Sequence, residues 1–234
     1  KDVYLKAKKG KTIGIIGGTG CGKSTRVNLI PRFYDVTEGD VFVDQVNVKN
    51  YSFHQLRDRI GVVPQKAVLF NGTIADNLRW GKEDATEQEM ENAIQIAQGK
   101  DVIASKKDGL EEIILQGGKN LSGGQRQRLT IARALIRQPE ILILDDSASA
   151  LDFATDAKLR KAIKEQTKGM TVFIVSQRAA TIKQADQIIV LEDGAVAGIG
   201  IHEELMKKCD VYQEIVKSQD DTAKEKKEEK EDGR

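Results

Sequence analysis

A glycine-rich stretch near the start of the chain, GGTGCGKST, contains the residue types needed to bind a chain of phosphates. It fits the pattern G-x-x-x-x-G-K-[ST] with Gly17, Gly22, Lys23 and Ser24 at the fixed positions. Glycines let successive backbone N–H groups point at phosphate oxygens, and the lysine reaches the β and γ phosphates. The hydroxyl of Ser24 is a ligand for Mg²⁺. This stretch is therefore predicted to be a phosphate loop.

The flanking elements needed to hold such a loop are also present in the sequence. The apolar run Ile13 to Ile16 leads into it, and a helical pattern with Val27 and Ile30 follows and stops before Pro31. A glycine-rich turn without a ligand is the alternative. The predicted nucleotide-binding residues are Gly17, Gly18, Thr19, Gly20, Cys21, Gly22, Lys23, Ser24 and Thr25. A thiol at a helix start tends to be reactive, so alkylation of Cys21 and its protection by ATP are expected.

A carboxylate for the metal is predicted in the segment LILDDSASALD. Asp145 follows the apolar run ILIL, at the end of a buried strand. Ligands of open α/β sheets collect at the carboxyl ends of strands, which favours a metal-binding role close to Lys23 and Ser24. A plain strand-ending turn is the alternative for Asp145.

Alternation of apolar runs and helical patterns predicts an α/β fold. The six strand-like runs are Thr12 to Ile16, Val41 to Val43, Ile60 to Val63, Ile141 to Leu144, Thr171 to Val175 and Gln187 to Leu191. Between residues 73 and 138 no comparable strand is found, but Thr86 and Glu89 form a capping box before a helical pattern. We predict a helical subdomain there, a hairpin at Asp193–Gly194, and one or two helices over 202–217.

Bulk composition excludes several classes of protein. The net charge of +1 gives no global attraction to nucleic acid or anionic membrane, and no run of residues is long and apolar enough to span a bilayer. Cys21 and Cys209 form no C-x-x-C pair, which favours a reducing compartment. Residues 1–217 are predicted as one domain. The charged tail 218–234 is predicted to be disordered, with extension of the preceding helix as the alternative.

The segment LSGGQRQRLTIARAL, Leu121 to Leu135, resembles the signature motif of ABC ATPases. Other motifs of that family follow its order: Gln65 in VVPQ resembles the Q-loop, SALD (149–152) the D-loop, and IVSQR (174–178) the switch. The stretch LFNGTIADNLRWG is similar to the exporter version of the family. The resemblance implies an α/β P-loop NTPase core sheet with an inserted helical subdomain. It also implies that residues near Phe70 contact a membrane domain.

The resemblance implies an ATP and Mg²⁺ site shared between two domains. Ser24, Gln65 and Asp145 would hold the metal. The signature residues would close over the ATP held by a second ABC nucleotide-binding domain in a head-to-tail dimer with two ATPs; they are Leu121, Ser122, Gly123, Gly124 and Gln125, together with Asp152 of the D-loop. Ser122 as an ordinary helix N-cap is the alternative. A transmembrane domain, fused upstream or associated, would place the chain at the cytoplasmic face of a membrane.

Two departures from the family pattern bear on catalysis. The family has glutamate after the metal-binding aspartate, called the Walker B aspartate, which corresponds to Asp145, and it has histidine in the switch. This chain has Asp146 and Gln177 at those two positions. An aspartate carboxylate stops roughly 1.5 Å short of a glutamate carboxylate, and glutamine carries no charge. With Gln65, these are the predicted catalytic residues, and the site is expected to be degenerate and slow, in one half of a heterodimeric exporter. The aromatic residue that stacks on adenine in the family is expected upstream of this chain, since Tyr4 is not at a matching position, and a longer polypeptide is expected.

Three alternatives stay open at this stage. The chain could be a fully active homodimeric ABC ATPase in which Asp146 acts through a water. It could be a soluble ABC ATPase that gates a nucleic-acid or ribosome interaction, although no coiled-coil insertion, tandem cassette or basic arm supports a nucleic-acid partner. It could also be a regulatory module that binds nucleotide without hydrolysis.

Overall fold

The computed structural model describes residues 4–147 and 149–220 of the chain. Its strands are β1 (Thr12–Gly17), β2 (Phe42–Val43), β3 (Val46–Asn47), β4 (Ile60–Val63), β5 (Gly72–Thr73), β6 (Ile113–Ile114), β7 (Ile141–Asp145), β8 (Thr171–Val175), β9 (Gln187–Glu192) and β10 (Ala195–Gly200). Its α-helices are α1 (Lys23–Asn28), α2 (Phe53–Arg57), α3 (Ile74–Arg79), α4 (Glu87–Ile96), α5 (Lys100–Ala104), α6 (Gly123–Leu135), α7 (Phe153–Gln166), α8 (Ala179–Ile182), α9 (His202–Lys208) and α10 (residues 210–220).

Six strands form the central sheet in the order β10-β9-β1-β8-β7-β4. All neighbouring strands are parallel except β10, which pairs antiparallel with β9. The inner strands are buried on both faces, as their unbroken apolar sequences predict. The predicted α/β fold is therefore confirmed.

One predicted strand lies outside this sheet. Phe42–Val43 pairs with Val46–Asn47 in a separate two-stranded sheet. Asp44 and Gln45 both have positive φ, 48° and 66°, which forms a two-residue hairpin turn. The backbone of this segment thus pairs locally, and the prediction that it is a strand of the main sheet is wrong.

The segment between β4 and β7 is mainly helical, as predicted. Thr86 caps α4 and accepts a hydrogen bond from the backbone N–H of Glu89, in the capping box expected from the sequence. No strand comparable to those of the central sheet lies between residues 73 and 138, all of which the structure describes, as expected; β5 and β6 are two-residue strands that pair with each other. Helix α6 packs on both α4 and β4, and one continuous apolar cluster joins this segment to the sheet.

The last part of the described chain differs from the prediction at one point. Asp193 and Gly194 form the hairpin turn between β9 and β10, as predicted. Helix α10 buries Tyr212 and continues through residues 218–220, so those three residues follow the alternative prediction, extension of the preceding helix. Residues 221–234 lie outside the described residues. None of the helices described here is long and apolar enough to cross a bilayer.

Candidate nucleotide site

The phosphate loop lies between the end of β1 and the start of α1. A Cβ added at Gly17 would stand 2.1 Å from the backbone oxygen of Leu191 on the neighbouring strand β9, so only glycine fits there. Gly20 and Gly22 have φ of 82° and 87°, in the left-handed region that favours glycine. The predicted glycines therefore have the conformational role that a tight anion-binding loop requires.

Lys23 lies inside the loop and is buried. Its ammonium donates to the backbone oxygens of Gly17, at 2.8 Å, and Gly18, at 2.7 Å. These carbonyls hold the cation at the loop where the sequence places nucleotide phosphates. Lys23 therefore supplies a positive charge to the loop, and backbone carbonyls of the same loop hold that charge in place.

Ser24 and Asp145 meet at the carboxyl ends of β1 and β7. The Ser24 hydroxyl donates to Asp145 Oδ1 at 2.8 Å, and burial of Asp145 raises the pKa of that carboxyl. Within the described part of the chain, no group of three or more His, Cys, Asp or Glu side chains forms a metal site. One hydroxyl and one carboxylate are oxygen donors that fit Mg²⁺, which usually takes one or two carboxylates and completes its shell with water and substrate phosphates.

The three predicted catalytic residues come together beside this pair. Asp146 Oδ2 accepts hydrogen bonds from Gln65 Nε2 at 3.2 Å and from Gln177 Nε2 at 3.5 Å. Its backbone N–H donates to the oxygen of Val175 at 2.9 Å, and its φ of 46° is left-handed, a conformation that aspartate tolerates better than most residues. Burial, followed by the charge of Asp145, raises the pKa of Asp146.

The signature residues form a second group, at the start of α6. Ser122 Oγ accepts from the backbone N–H of Gln125 at 3.2 Å, and Gln125 Oε1 accepts from the Ser122 N–H at 3.0 Å. Ser122 is thus the helix N-cap that the sequence offered as an alternative, and it is exposed. Leu121 is buried, and a Cβ at Gly124 would lie 3.4 Å from the backbone oxygen of Ala150. The signature therefore adjoins the predicted D-loop.

Asp152 ends that loop and caps α7. Its carboxylate accepts from the Thr155 N–H at 2.9 Å and from the Thr155 hydroxyl at 2.7 Å. These two bonds lower the pKa of Asp152. Its predicted role toward a second domain and its observed role as a helix cap use the same exposed carboxylate.

Comparison with known proteins identifies the family. A model of the ABC transporter family matches residues 1–149. The chain belongs to the ABC transporter family. This ABC domain is 47% identical over 222 residues to an uncharacterised ABC transporter ATP-binding protein of Mycobacterium tuberculosis, covering 94% of this chain and 38% of that protein.

One further relative and one solved structure also match the chain. The ABC domain is 41% identical to human ATP-binding cassette sub-family B member 5, over 94% of this chain and 18% of the human protein. It matches the ATP-bound structure of a bacterial Atm1-family ABC exporter with a TM-score of 0.87 and 34% identity, over 90% of this chain and 37% of that chain. The chain thus spans less than two fifths of the length of each of these relatives.

The exposure of Cys21 and Tyr4 bears on two expectations from the sequence. Cys21 is only 6% exposed and packs in the apolar cluster below the loop, so the ready alkylation expected of it is not supported by its accessibility. Tyr4 is 86% exposed. Two contributors to the switch were not predicted from the sequence, the Arg178 side chain and Gln219. Arg178 lies within the motif IVSQR, but its side chain had no assigned role, and Gln219 lies in the segment predicted to be a disordered tail.

The pH dependence of Tm is expected to differ between variants of the ABC domain at Asp146 and at Asp152. Because the folded state raises the pKa of Asp146, the stability it contributes is present below the ordinary carboxyl pKa and is lost as pH rises through the folded value. Asp146→Asn should therefore gain Tm relative to the parent as pH rises from about 3 to about 7. Thermal unfolding at low, constant ionic strength measures this gain.

The matched control has the opposite sign. The pKa of Asp152 is lowered, so its contribution is present above the ordinary carboxyl range and is lost as pH falls through the folded value. Asp152→Asn should lose Tm relative to the parent as pH rises over the same range. Parallel curves for the parent and Asp146→Asn would contradict the shift at Asp146.

Proposed function

We propose that this chain is the ATP-binding motor domain of an ABC exporter and that its own site binds ATP but hydrolyses it slowly. The observation that carries this proposal is the environment of Asp146. Its carboxylate is engaged by two uncharged amides, those of Gln65 and Gln177, at the position where the family pattern has glutamate facing histidine.

Binding rests on the loop and the metal pair. The N–H groups of the phosphate loop and the Lys23 ammonium would hold the phosphates, and Ser24, Asp145 and Gln65 are the side chains to hold Mg²⁺. When bound, Mg²⁺ neutralises charge on the phosphates. The Lys23 ammonium and the backbone donors of the loop would account for nucleotide binding in a chain whose net charge is +1.

Hydrolysis needs a further group at the attacking water. Water oxygen bonds to the γ phosphorus, the bond to the bridging oxygen breaks, and the water proton passes to a base within hydrogen-bond reach. Asp146 is the available carboxylate, and its raised pKa favours proton acceptance. Its side chain is one methylene shorter than glutamate, and its Oδ2 already accepts from both glutamines. Gln177 can donate to a phosphate oxygen but carries no charge to stabilise it.

The signature supports a role toward a second ABC domain. Ser122 and Gly123 are exposed at the N-terminus of a 13-residue helix, where N–H groups and the helix dipole favour an anion. We infer that the signature and Asp152 complete a competent site whose ATP is held by another chain. The two chains then form a heterodimer with one slow and one fast site.

A membrane domain is the second inferred partner. Phe70 and Trp80 lie with ring centroids 4.9 Å apart, and Trp80 is 69% exposed beside a groove of about 870 Å³ that His54 and Arg137 also line. Exposed aromatic side chains are typical of protein interfaces. The similarity to exporters supports a transmembrane domain as the occupant. We infer that the chain then lies at the cytoplasmic face of a membrane.

A fully active homodimer is the second candidate function. The raised pKa of Asp146 favours it, because a carboxylate tuned upward is a better base near neutral pH and could act through a bridging water. The two candidate functions predict different dependences of the hydrolysis rate on chain concentration. A homodimer of active sites hydrolyses ATP at a rate that rises with the square of chain concentration until dimerisation saturates.

Steady-state hydrolysis across chain concentration tests the proposal. With a slow site, we expect turnover per chain to stay more than about 100-fold below the median enzyme value of about 10 s⁻¹ at all concentrations. Over the same range, Mg²⁺ and ATP should raise Tm, and Lys23→Ala should remove that rise. Turnover that climbs with concentration to several per second would favour the homodimer.

A further inference from the structure

Helix α10 contacts the switch through the side-chain amide of Gln219. Gln219 Oε1 accepts from the backbone N–H of Ala179 at 2.9 Å, and Gln219 Nε2 donates to the backbone oxygen of Gln177 at 2.6 Å. These contacts join residues 40 and 42 positions apart in sequence. A single amide thus bridges the residue before Arg178 and the residue after it.

The two partners fix the orientation of the amide. An N–H group can bond only to the amide oxygen, and a carbonyl can accept only from the amide nitrogen. Both needs are met together in one orientation of the Gln219 side chain. An isosteric carboxylate could keep the first bond but would lose the second, because it has no N–H to donate.

The bond from the Ala179 N–H to Gln219 Oε1 satisfies a donor at the start of a helix. Ala179 begins α8, whose N-cap position is Arg178, and the Arg178 side chain makes no capping hydrogen bond. The first N–H groups of a helix have no partner within it, and arginine has no acceptor to offer. Gln219 supplies the missing acceptor from another element.

The Arg178 side chain is directed elsewhere. Its guanidinium donates to the backbone oxygens of Leu151, at 3.4 Å, and Ser149, at 3.3 Å, and it lies 5.0 Å from the centre of the Phe153 ring. Residues 177–179 are therefore held on one side by α10 and on the other by the D-loop. The Gln177 side chain, which faces Asp146, extends from this doubly held backbone.

We propose that Gln219 is a positioning residue for the switch: its amide holds the backbone of residues 177–179 so that the Gln177 side chain faces Asp146. The proposal rests on the proposed function in one respect, that Gln177 and Asp146 flank the reacting phosphate. It adds that helix α10, outside every nucleotide-binding motif of the chain, sets the geometry of that pair. Displacement of α10 would then release the switch.

Two signals in the nitrogen–proton NMR spectrum of the labelled chain test this proposal. The first is hydrogen exchange of the Ala179 backbone amide; the second is the side-chain amide pair of Gln177, assigned by its disappearance in Gln177→His. In Gln219→Ala, we expect Ala179 exchange to accelerate about tenfold, as for loss of one hydrogen bond, and the Gln177 pair to shift. In Gln219→Glu, Ala179 should stay protected while the Gln177 pair still shifts.

Gln213→Ala is the matched control, since it removes the same type of side chain from the same helix, and it should change neither signal. Unchanged Gln177 side-chain signals in both Gln219 variants would overturn the proposal, whatever happens at Ala179. If Gln219→Ala fails to fold, Gln219→Glu alone gives the decision. Neither signal depends on ATP turnover, so an active homodimer would refute the slow site and leave this test intact.

Discussion

Replacing Asp146 by glutamate and Gln177 by histidine in the same chain is expected to raise its steady-state ATPase rate by about 10² to 10⁴-fold. The glutamate carboxylate extends by one methylene, roughly 1.5 Å, toward an attacking water. The histidine adds a group that can carry positive charge next to the transferred phosphate. Phosphate release at saturating ATP and high chain concentration measures the change.

The two replacements are expected to depend on each other. Gln177 Nε2 lies 3.5 Å from Asp146 Oδ2, so each change alters the partner of the other. Residues in contact rarely contribute additively, and each single variant should recover much less than the pair. Adding Lys23→Ala to the pair should abolish the gained activity, which shows that turnover comes from this site.

Backbone conformation provides a check on the glutamate replacement. Asp146 has φ of 46°, and a longer side chain fits the left-handed region less well than aspartate. We expect Asp146→Glu to lower the free energy of unfolding by about 1 kcal/mol, a Tm decrease of about 2–4 °C. A larger decrease would show that the chain excludes glutamate for reasons of folding.

A parent chain that already turns over at several ATP per second, with no gain in the pair, would contradict the slow site. Asp146 would then suffice as a base, and the two glutamine amides around it would be part of a working arrangement. The homodimeric candidate would replace the heterodimer, since each chain would supply one competent site.

The central sheet was largely predictable because its inner strands are buried on both faces. Such strands appear in sequence as short, unbroken β-branched runs, and five of the six predicted runs lie in the central sheet. The sixth, Val41–Val43, has the same composition, but the turn at Asp44 and Gln45 pairs it locally. Apolar content indicates that a strand is buried without indicating which sheet it joins.

The motif residues of the site were predictable because each motif is recognised by its local spacing. Gln65, Asp146 and Gln177 are far apart in sequence and meet because each follows the carboxyl end of a neighbouring strand. Gln219 was not predictable, since a polar residue in a charged segment looks the same whether solvated or docked. Its contacts depend on α10 packing Tyr212 and Val216 against the core, a tertiary effect that composition does not record.

Gly17→Ala is expected to have the largest effect on stability of the variants considered. A Cβ at this position would stand 2.1 Å from the Leu191 oxygen and 2.7 Å from the Cys21 sulfur. The first of these is backbone of the paired strand β9, so the end of the sheet would have to move. We expect a loss of about 3 kcal/mol in the free energy of unfolding, which lowers Tm by about 6–12 °C.

Gly18→Ala is the matched control for that prediction. It makes the same chemical change at the next residue, where an added Cβ would meet nothing within 4 Å. Its free energy of unfolding should stay within about 1 kcal/mol of the parent, and calorimetry of the two variants gives the comparison directly. Losses below about 1 kcal/mol in both would mean that the β1–β9 end yields easily. In that case the glycine at position 17 would be required for the ligand and not for the close approach of the strands.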